Sequence, residues 1–272
     1  MVLHFIFTGD NMLNKRIYLL VLLAVACIFA AGFSVGNEPE STAPEAAEVA
    51  AEKEADIILP RRKITISDSV SLDVPNILQF PELPSGCEIT SAAMVLNYLG
   101  IPTEKTELID YLDTDSEYEV ENGEIYRASY WEKFVGDPRS DCYGCTAPVI
   151  HKMINRFLQA KGISEEFRVY SFVSADTAEV YNELMRGNPV IVWATICMEE
   201  PYFLESWKVK GSGETQNWYA QEHCTVLTGF DNAAGTVSLS DPYSGVCTYP
   251  KELFEKRMQQ MDSQYVVIEK LT

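Results

Sequence analysis

The chain has 272 residues, 47% of them hydrophobic, which suffices for one sizeable domain with its own core plus appendages. Forty Asp and Glu against 21 Lys and Arg give a formal charge of −19. That balance excludes nucleic acid as a partner, because no basic stripe exists to neutralise phosphates, and otherwise it speaks for solubility rather than for a fold.

Residues 1–36 read as a targeting segment. Lys15 and Arg16 precede an uncharged run over 17–35, with the small residues Ala30, Ala31, Gly32 and Ser34 near its end, the pattern of a signal peptide. The run is also about long enough to span a bilayer, so a retained anchor with its positive end inside is a second reading, and a lipid on Cys27 a third. Met12 is an alternative start. All three readings imply export, to the extracellular space or to the outer face of the cytoplasmic membrane. Residues 37–56 are rich in Glu, Ala and Pro and hold no large apolar residue except Val49, so they read as an acidic disordered tether. The domain proper is expected over 57–272, with no internal repeat.

Within it, Ile89, Ala92, Ala93, Leu96 and Leu99 recur at helical spacing and predict a helix over 85–100, capped by Ser85 and stopped by Gly100 and Pro102. A short helix is expected over 103–112. Residues 113–141 are acidic and aromatic without clear periodicity and read as an insertion or long loop. Helices follow at 147–160, with Ile150, Ile154, Phe157 and Leu158 on one side, and at 176–186. Residues 190–196 form an apolar run typical of a buried strand, and 201–219 a polar, aromatic loop. Strands at 223–230 and 236–240 flank a turn, a helix covers 251–261 and a last strand 265–269. Helices first and antiparallel strands afterwards indicate an α+β domain.

Three histidines narrow the chemistry: His4 in the leader, His151 on a helix beside Lys152 and read as a surface residue, and His223 at the start of a strand. A cysteine nucleophile needs a lowered thiol pKa, a base in reach and donors for an oxyanion. Cys87 lies in the first turn of its helix, where unpaired N–H groups and the dipole favour a thiolate, and Gly86 before it admits a substrate backbone. His223 is the one imidazole suited to serve it. Asp241, eighteen residues on, ends the returning strand of the hairpin and is placed to orient the ring. Gln79, eight residues before Cys87, is placed to donate to the oxyanion beside the Cys87 N–H. Taken singly, a buried Cys is a small hydrophobe and a strand His a satisfied polar residue. Glu88 is expected to oppose the thiolate slightly and has no assigned catalytic role. The chemistry calls for no metal and no cofactor.

Val74-Pro75-Asn76-Ile77-Leu78-Gln79, then Leu83-Pro84-Ser85-Gly86-Cys87-Glu88-Ile89-Thr90-Ser91-Ala92-Ala93-Met94, and later Gly187-Asn188-Pro189-Val190, His223 followed by Thr225-Val226-Leu227-Thr228-Gly229-Phe230-Asp231, and Asp241-Pro242, occur in that order. Together they resemble the cysteine peptidase family 39-like group, akin to the domains that remove double-glycine leaders from bacteriocins. The resemblance implies a papain-like fold, with Cys87, His223 and Asp241 catalytic, Gln79 at the oxyanion hole, and a peptide or protein as substrate. Transporter-linked leader peptidases have Asp-Cys-Gly where this chain has Gly86-Cys87-Glu88, which favours the stand-alone branch.

Cys142 and Cys145 form a C-x-x-C with no second pair to complete a zinc site, and read as a loop disulfide or as partners of other cysteines in an exported domain. Alternation puts Cys224 on the strand face opposite His223, so it reads as structural. Cys197 and Cys247 are unassigned. Two rival readings remain: a degenerate scaffold that binds peptide or glycan through the aromatic residues Tyr126, Tyr130, Trp131, Trp207, Trp218 and Tyr219, and an amidase or transferase acting on cell-wall peptides.

Overall fold

The computed structural model describes residues 61–271. The leader, the anchor, Cys27, the tether and the first residues of the expected domain lie outside the described residues. In chain order the elements are β1 (Ser69–Ser71), α1 (Cys87–Tyr98), a 3-10 turn at Glu107–Tyr111, β2 (Thr114–Asp115), β3 (Glu119–Glu121), β4 (Glu124–Arg127) and β5 (Phe134–Val135). There follow α2 (Ala147–Ala160), β6 (Phe167–Phe172), α3 (Glu179–Met185), β7 (Val190–Thr195), β8 (Tyr202–Val209), β9 (Thr215–Ala220), β10 (Glu222–Asp231), β11 (Thr236–Asp241), β12 (Gly245–Pro250), α4 (Lys251–Gln260) and β13 (Tyr265–Lys270).

The main sheet runs β12-β11-β10-β7-β13-β6, all antiparallel, with β1 added against the far end of β10. Alternation along its strands creates two cores. Ile191, Trp193, Cys224, Val226, Val266 and Ile268 face α1 and α2. Val190, Val192, Leu227, Val237, Leu239 and Val267 face α3 and α4. β7 is therefore buried on both faces, which is why its sequence is one unbroken apolar run. Helix α1 is buried from Cys87 to Leu96, so it is covered almost all round rather than striped, with Glu88, Thr90 and Ser91 as its buried polar residues. Each of its Ile, Leu, Val and Met side chains contributes about 1.5–3 kcal/mol by leaving water. Its C-terminus closes through Gly100 at φ +81, with Gly100 N–H donating to Asn97 O and Ile101 N–H to Leu96 O.

Several expectations are corrected. Ser85 does not cap α1; Gly86 is the N-cap residue, and the Ser85 hydroxyl instead accepts the Cys142 N–H at 2.9 Å. The 103–112 segment makes only the 3-10 turn, and the 176–186 helix shortens to α3. Residues 201–219 are a hairpin, β8 and β9, turning through Gly211 and Gly213 at positive φ. Part of 113–141 is a second hairpin, β3 and β4, turning at Asn122 and Gly123, both at positive φ as a two-residue primed turn requires. The two hairpins join in a sheet of order β3-β4-β8-β9. Its small core gathers Trp207, Val135 and Ala128 with Tyr130, Tyr143 and Trp218.

All six described cysteines are free, so Cys142 and Cys145 form neither the expected loop disulfide nor one with another described cysteine. Cys142 turns its sulfur to the Asp137 carbonyl at 3.1 Å, whereas Cys145 is buried in the core around α1. His151 is half-buried, its Nε2 3.2 Å from the Val169 carbonyl, rather than a free surface residue.

Candidate active site

Four segments converge at the start of α1. The loop before the helix is held from both ends. Gln79 N–H donates to Pro242 O at 2.8 Å, Leu83 N–H to Gln79 O at 2.9 Å and Gly86 N–H to Leu83 O at 3.0 Å. Lys105 Nζ donates to the Leu78 and Gln79 carbonyls at 2.5 and 2.8 Å. A Cβ at Gly86 would sit 2.6 Å from that of Leu83, so the last residue before the nucleophile has no room for a side chain. Gln79 is buried. One N–H of its amide donates to Pro84 O at 2.5 Å, while Oε1 is buried without a partner among the described residues. Its second N–H has no acceptor among the described residues.

β10 and β11 supply the acid–base pair. His223 Nε2–H donates to Asp241 Oδ1 at 3.0 Å, with both side chains about 3% exposed. The same oxygen accepts the Tyr243 and Ser244 N–H groups at 2.7 and 3.0 Å. Burial pushes the Asp241 carboxyl up, but the hydrogen bond and charge of His223, helped by those two amides, outweigh it and leave the group below its ordinary value. With Nε2 occupied, Nδ1 is the ring nitrogen without a hydrogen bond to the described residues. Tyr243 stands edge-on to the imidazole, with ring centroids 6.2 Å apart, and packs on Phe80.

Cys87 opens α1, and the first turns of this helix lie on β10. The Ser91 hydroxyl donates to Cys224 O at 3.3 Å. The nucleophile candidate thus meets the strand one residue from His223. In this structure the sulfur is turned to Glu88, donating to Oε2 at 3.3 Å, and no hydrogen bond joins it to His223 or Gln79 among the described residues.

Glu88, expected to oppose the thiolate slightly, stands beside the sulfur, and Glu222 is a residue that the sequence does not single out. Glu88 is fully buried, its Oε1 accepting the Cys145 N–H at 2.8 Å. The Cys87 sulfur and one carboxyl oxygen each of Glu88 and Glu222 lie within 4.8 Å of one another, the one such trio of metal-ligating atoms among the described residues. Burial raises both carboxyls above their ordinary value, and Glu88 raises Glu222 further. The expected lowering of the Cys87 thiol is reversed. Burial pushes it well above an ordinary thiol, and Glu88 and Glu222 add to this, against the opposing pull of the Cys224 N–H. A signal was available: Glu222 is two residues before Cys224 on one strand, so alternation turns both toward α1. Gly144 leaves the space, since a Cβ there would be 2.5 Å from Glu88 Oε1.

Comparisons with known proteins agree with this arrangement of chain and fold. The chain is 32% identical over 201 residues to the uncharacterized protein YvpB of Bacillus subtilis strain 168, covering 72% of this chain and 73% of that one. The crystal structure of a protein from Bacillus anthracis described as a C39-like peptidase superposes with a TM-score of 0.64 at 26% identity. It covers 76% of this chain and 100% of that one. The residues from Gln79 to Asp241 all fall inside 71–266, the span over which the chain matches the model of a single family. On that match, with its papain-like layering of buried helix on antiparallel sheet, the chain belongs to the Peptidase_C39 like family.

Proposed function

We propose that the protein is an exported, thiol-dependent peptidase in which Cys87 attacks the scissile carbonyl and His223 and Asp241 manage the proton. The observation that carries this reading is the buried His223–Asp241 pair, at 3.0 Å, on the strand against which the Cys87 helix begins. Asp241 holds Nε2–H and so presents Nδ1 as the base. Catalysis then requires the Cys87 side chain to turn from Glu88 toward the imidazole, where Nδ1 takes the thiol proton. The thiolate adds to the carbonyl carbon, and the new oxyanion takes hydrogen bonds from the Cys87 N–H at the helix start and the second Gln79 N–H. The imidazolium then protonates the leaving amine, and the C–N bond breaks to give a thioester. Water, deprotonated by Nδ1, releases the acid and restores the thiol. Because burial and two carboxyls raise the thiol, its proton passes to Nδ1 together with attack on the carbonyl rather than ahead of it. The test is a peptide-library digest with parent and Cys87→Ala proteins. Cleavages made by the parent and absent from the variant support the reading, and equal cleavage by both ends it.

The orientation of the thiol toward Glu88 favours one other reading, a peptide-binding module on the same scaffold without turnover. It predicts saturable peptide binding with no thioester trapped on acid quench.

A further inference from the structure

A cavity of about 580 Å3 lies between β9, the start of α2 and the turn after α4. Its charge has one sign. Glu214, Glu222 and Asp262 line it, and no Lys, Arg or His does. Its rings are those of Trp131, Trp193 and Trp218 with neighbouring tyrosines. The Trp193 N–H is committed to Cys145 O at 2.9 Å, which fixes the indole in the wall. Gln216 is likewise committed, to Tyr130 N–H and the Ser129 hydroxyl. Glu222 differs from its neighbours. Its Oε1 is buried without a hydrogen-bond partner among the described residues, and a carboxyl oxygen of the same side chain lies within 4.8 Å of the Cys87 sulfur. A partly buried carboxyl with an unfilled acceptor is costly until a cation meets the group, and aromatic faces attract cations for the same electrostatic reason. A net charge of −19 adds a long-range pull on basic ligands.

We infer that this cavity is a subsite for a cationic side chain, a lysine or arginine of the substrate close to the scissile bond, with Glu222 as its counter-ion. The cation site stands on the cavity alone; its role as a substrate subsite rests on the peptidase reading. Burial and Glu88 raise the empty Glu222 carboxyl, and a bound ammonium restores its charge. Glu214 and Asp262, both more exposed, lie where a cation approaches from solvent.

The experiment uses the full chain carrying Cys87→Ala, so that binding is read without turnover. It is titrated with Nα-acetyl-lysine amide and with the uncharged Nα-acetyl-norleucine amide, followed by tryptophan fluorescence. The lysine probe is expected to saturate and to bind at least tenfold more tightly than the norleucine probe. Adding Glu222→Gln should remove at least tenfold of that preference, and adding the exposed Asp262→Asn about threefold, with thermal melting confirming that each variant is folded. Equal affinity for the two probes, tighter binding of norleucine, or no saturation by lysine on folded protein overturns the assignment. The parent protein's library digest separates the two claims. Lysine binding without any cleavage leaves the cation site and removes the peptidase reading. Cleavage without lysine binding or a basic preference removes only the cavity assignment.

Discussion

Replacing Glu88 by glutamine takes a charge from beside the nucleophile while keeping the shape of the side chain. Glutamine Oε1 can still accept the Cys145 N–H now held at 2.8 Å, and its amide can donate toward the sulfur where the carboxylate now accepts at 3.3 Å. A full negative charge about 4 Å from a thiolate opposes it by about 4 kcal/mol at an effective dielectric near 20. The Glu88 carboxyl is itself raised by burial, so its charge is partial and its share of that effect is about 2 kcal/mol, or about thirtyfold in the thiolate population. The assay is iodoacetamide alkylation at neutral pH, with each cysteine followed by peptide mass spectrometry. Exposed Cys197 serves as the internal reference. Glu88→Gln should speed alkylation of Cys87 about thirtyfold and leave Cys197 unchanged. An equal or slower rate at Cys87 in a variant with parental melting behaviour refutes the reasoning that this carboxyl governs the thiol.

Asp241→Asn replaces a buried, charge-assisted partner of the imidazole with a neutral one, worth about 1.5–3 kcal/mol, so kcat/KM should fall roughly 10- to 100-fold; an unchanged value removes Asp241 from the proposed catalytic set. Gly229→Ala places a Cβ 2.4 Å from the Val70 carbonyl oxygen, a backbone atom that can yield only if β1 leaves β10. The cost of about 1–3 kcal/mol should appear as a lower melting temperature. Hydrogen bonds from Arg156 and Lys152 hold the Asp113 carboxyl down at about 2, below its value in the unfolded chain. Its stabilisation is therefore complete above pH ~4 and lost as pH falls toward 2, and Asp113→Asn should flatten the urea-denaturation midpoint across that window.

The parts of the molecule that bury apolar side chains were readable from their sequence period. α1, α2, β7 and the β10–β11 hairpin stand where Ile, Leu, Val and Ala recur at helical or strand spacing, because burial selects those residues at those positions. β8 and β9 were not readable. β9 alternates between exposed and partly exposed residues, so its strand character rests on pairing with β8 and not on an apolar face. The β3–β4 hairpin hid for the same reason, although Asn122-Gly123 is a strong turn signal. At the site, the helix start, the strand histidine and the distant aspartate were legible as residue types at family spacing. The thiol's environment was not. A helix N-terminus favours a thiolate when it faces water, but here the first turn faces inward and Glu88 is buried with it. The C-x-x-C misled because its spacing carries no information on where each sulfur points, and packing sends Cys142 and Cys145 to different surroundings.

The most direct measurement is labelling with a peptidyl vinyl sulfone, which forms a stable thioether far faster where a thiol, a base and a peptide groove coincide than at a merely exposed thiol. A single adduct is predicted, on Cys87, retained in Cys224→Ser and lost in His223→Ala. Adduct formation at Cys87 at the parental rate without His223, or reaction confined to the exposed Cys197, contradicts the account.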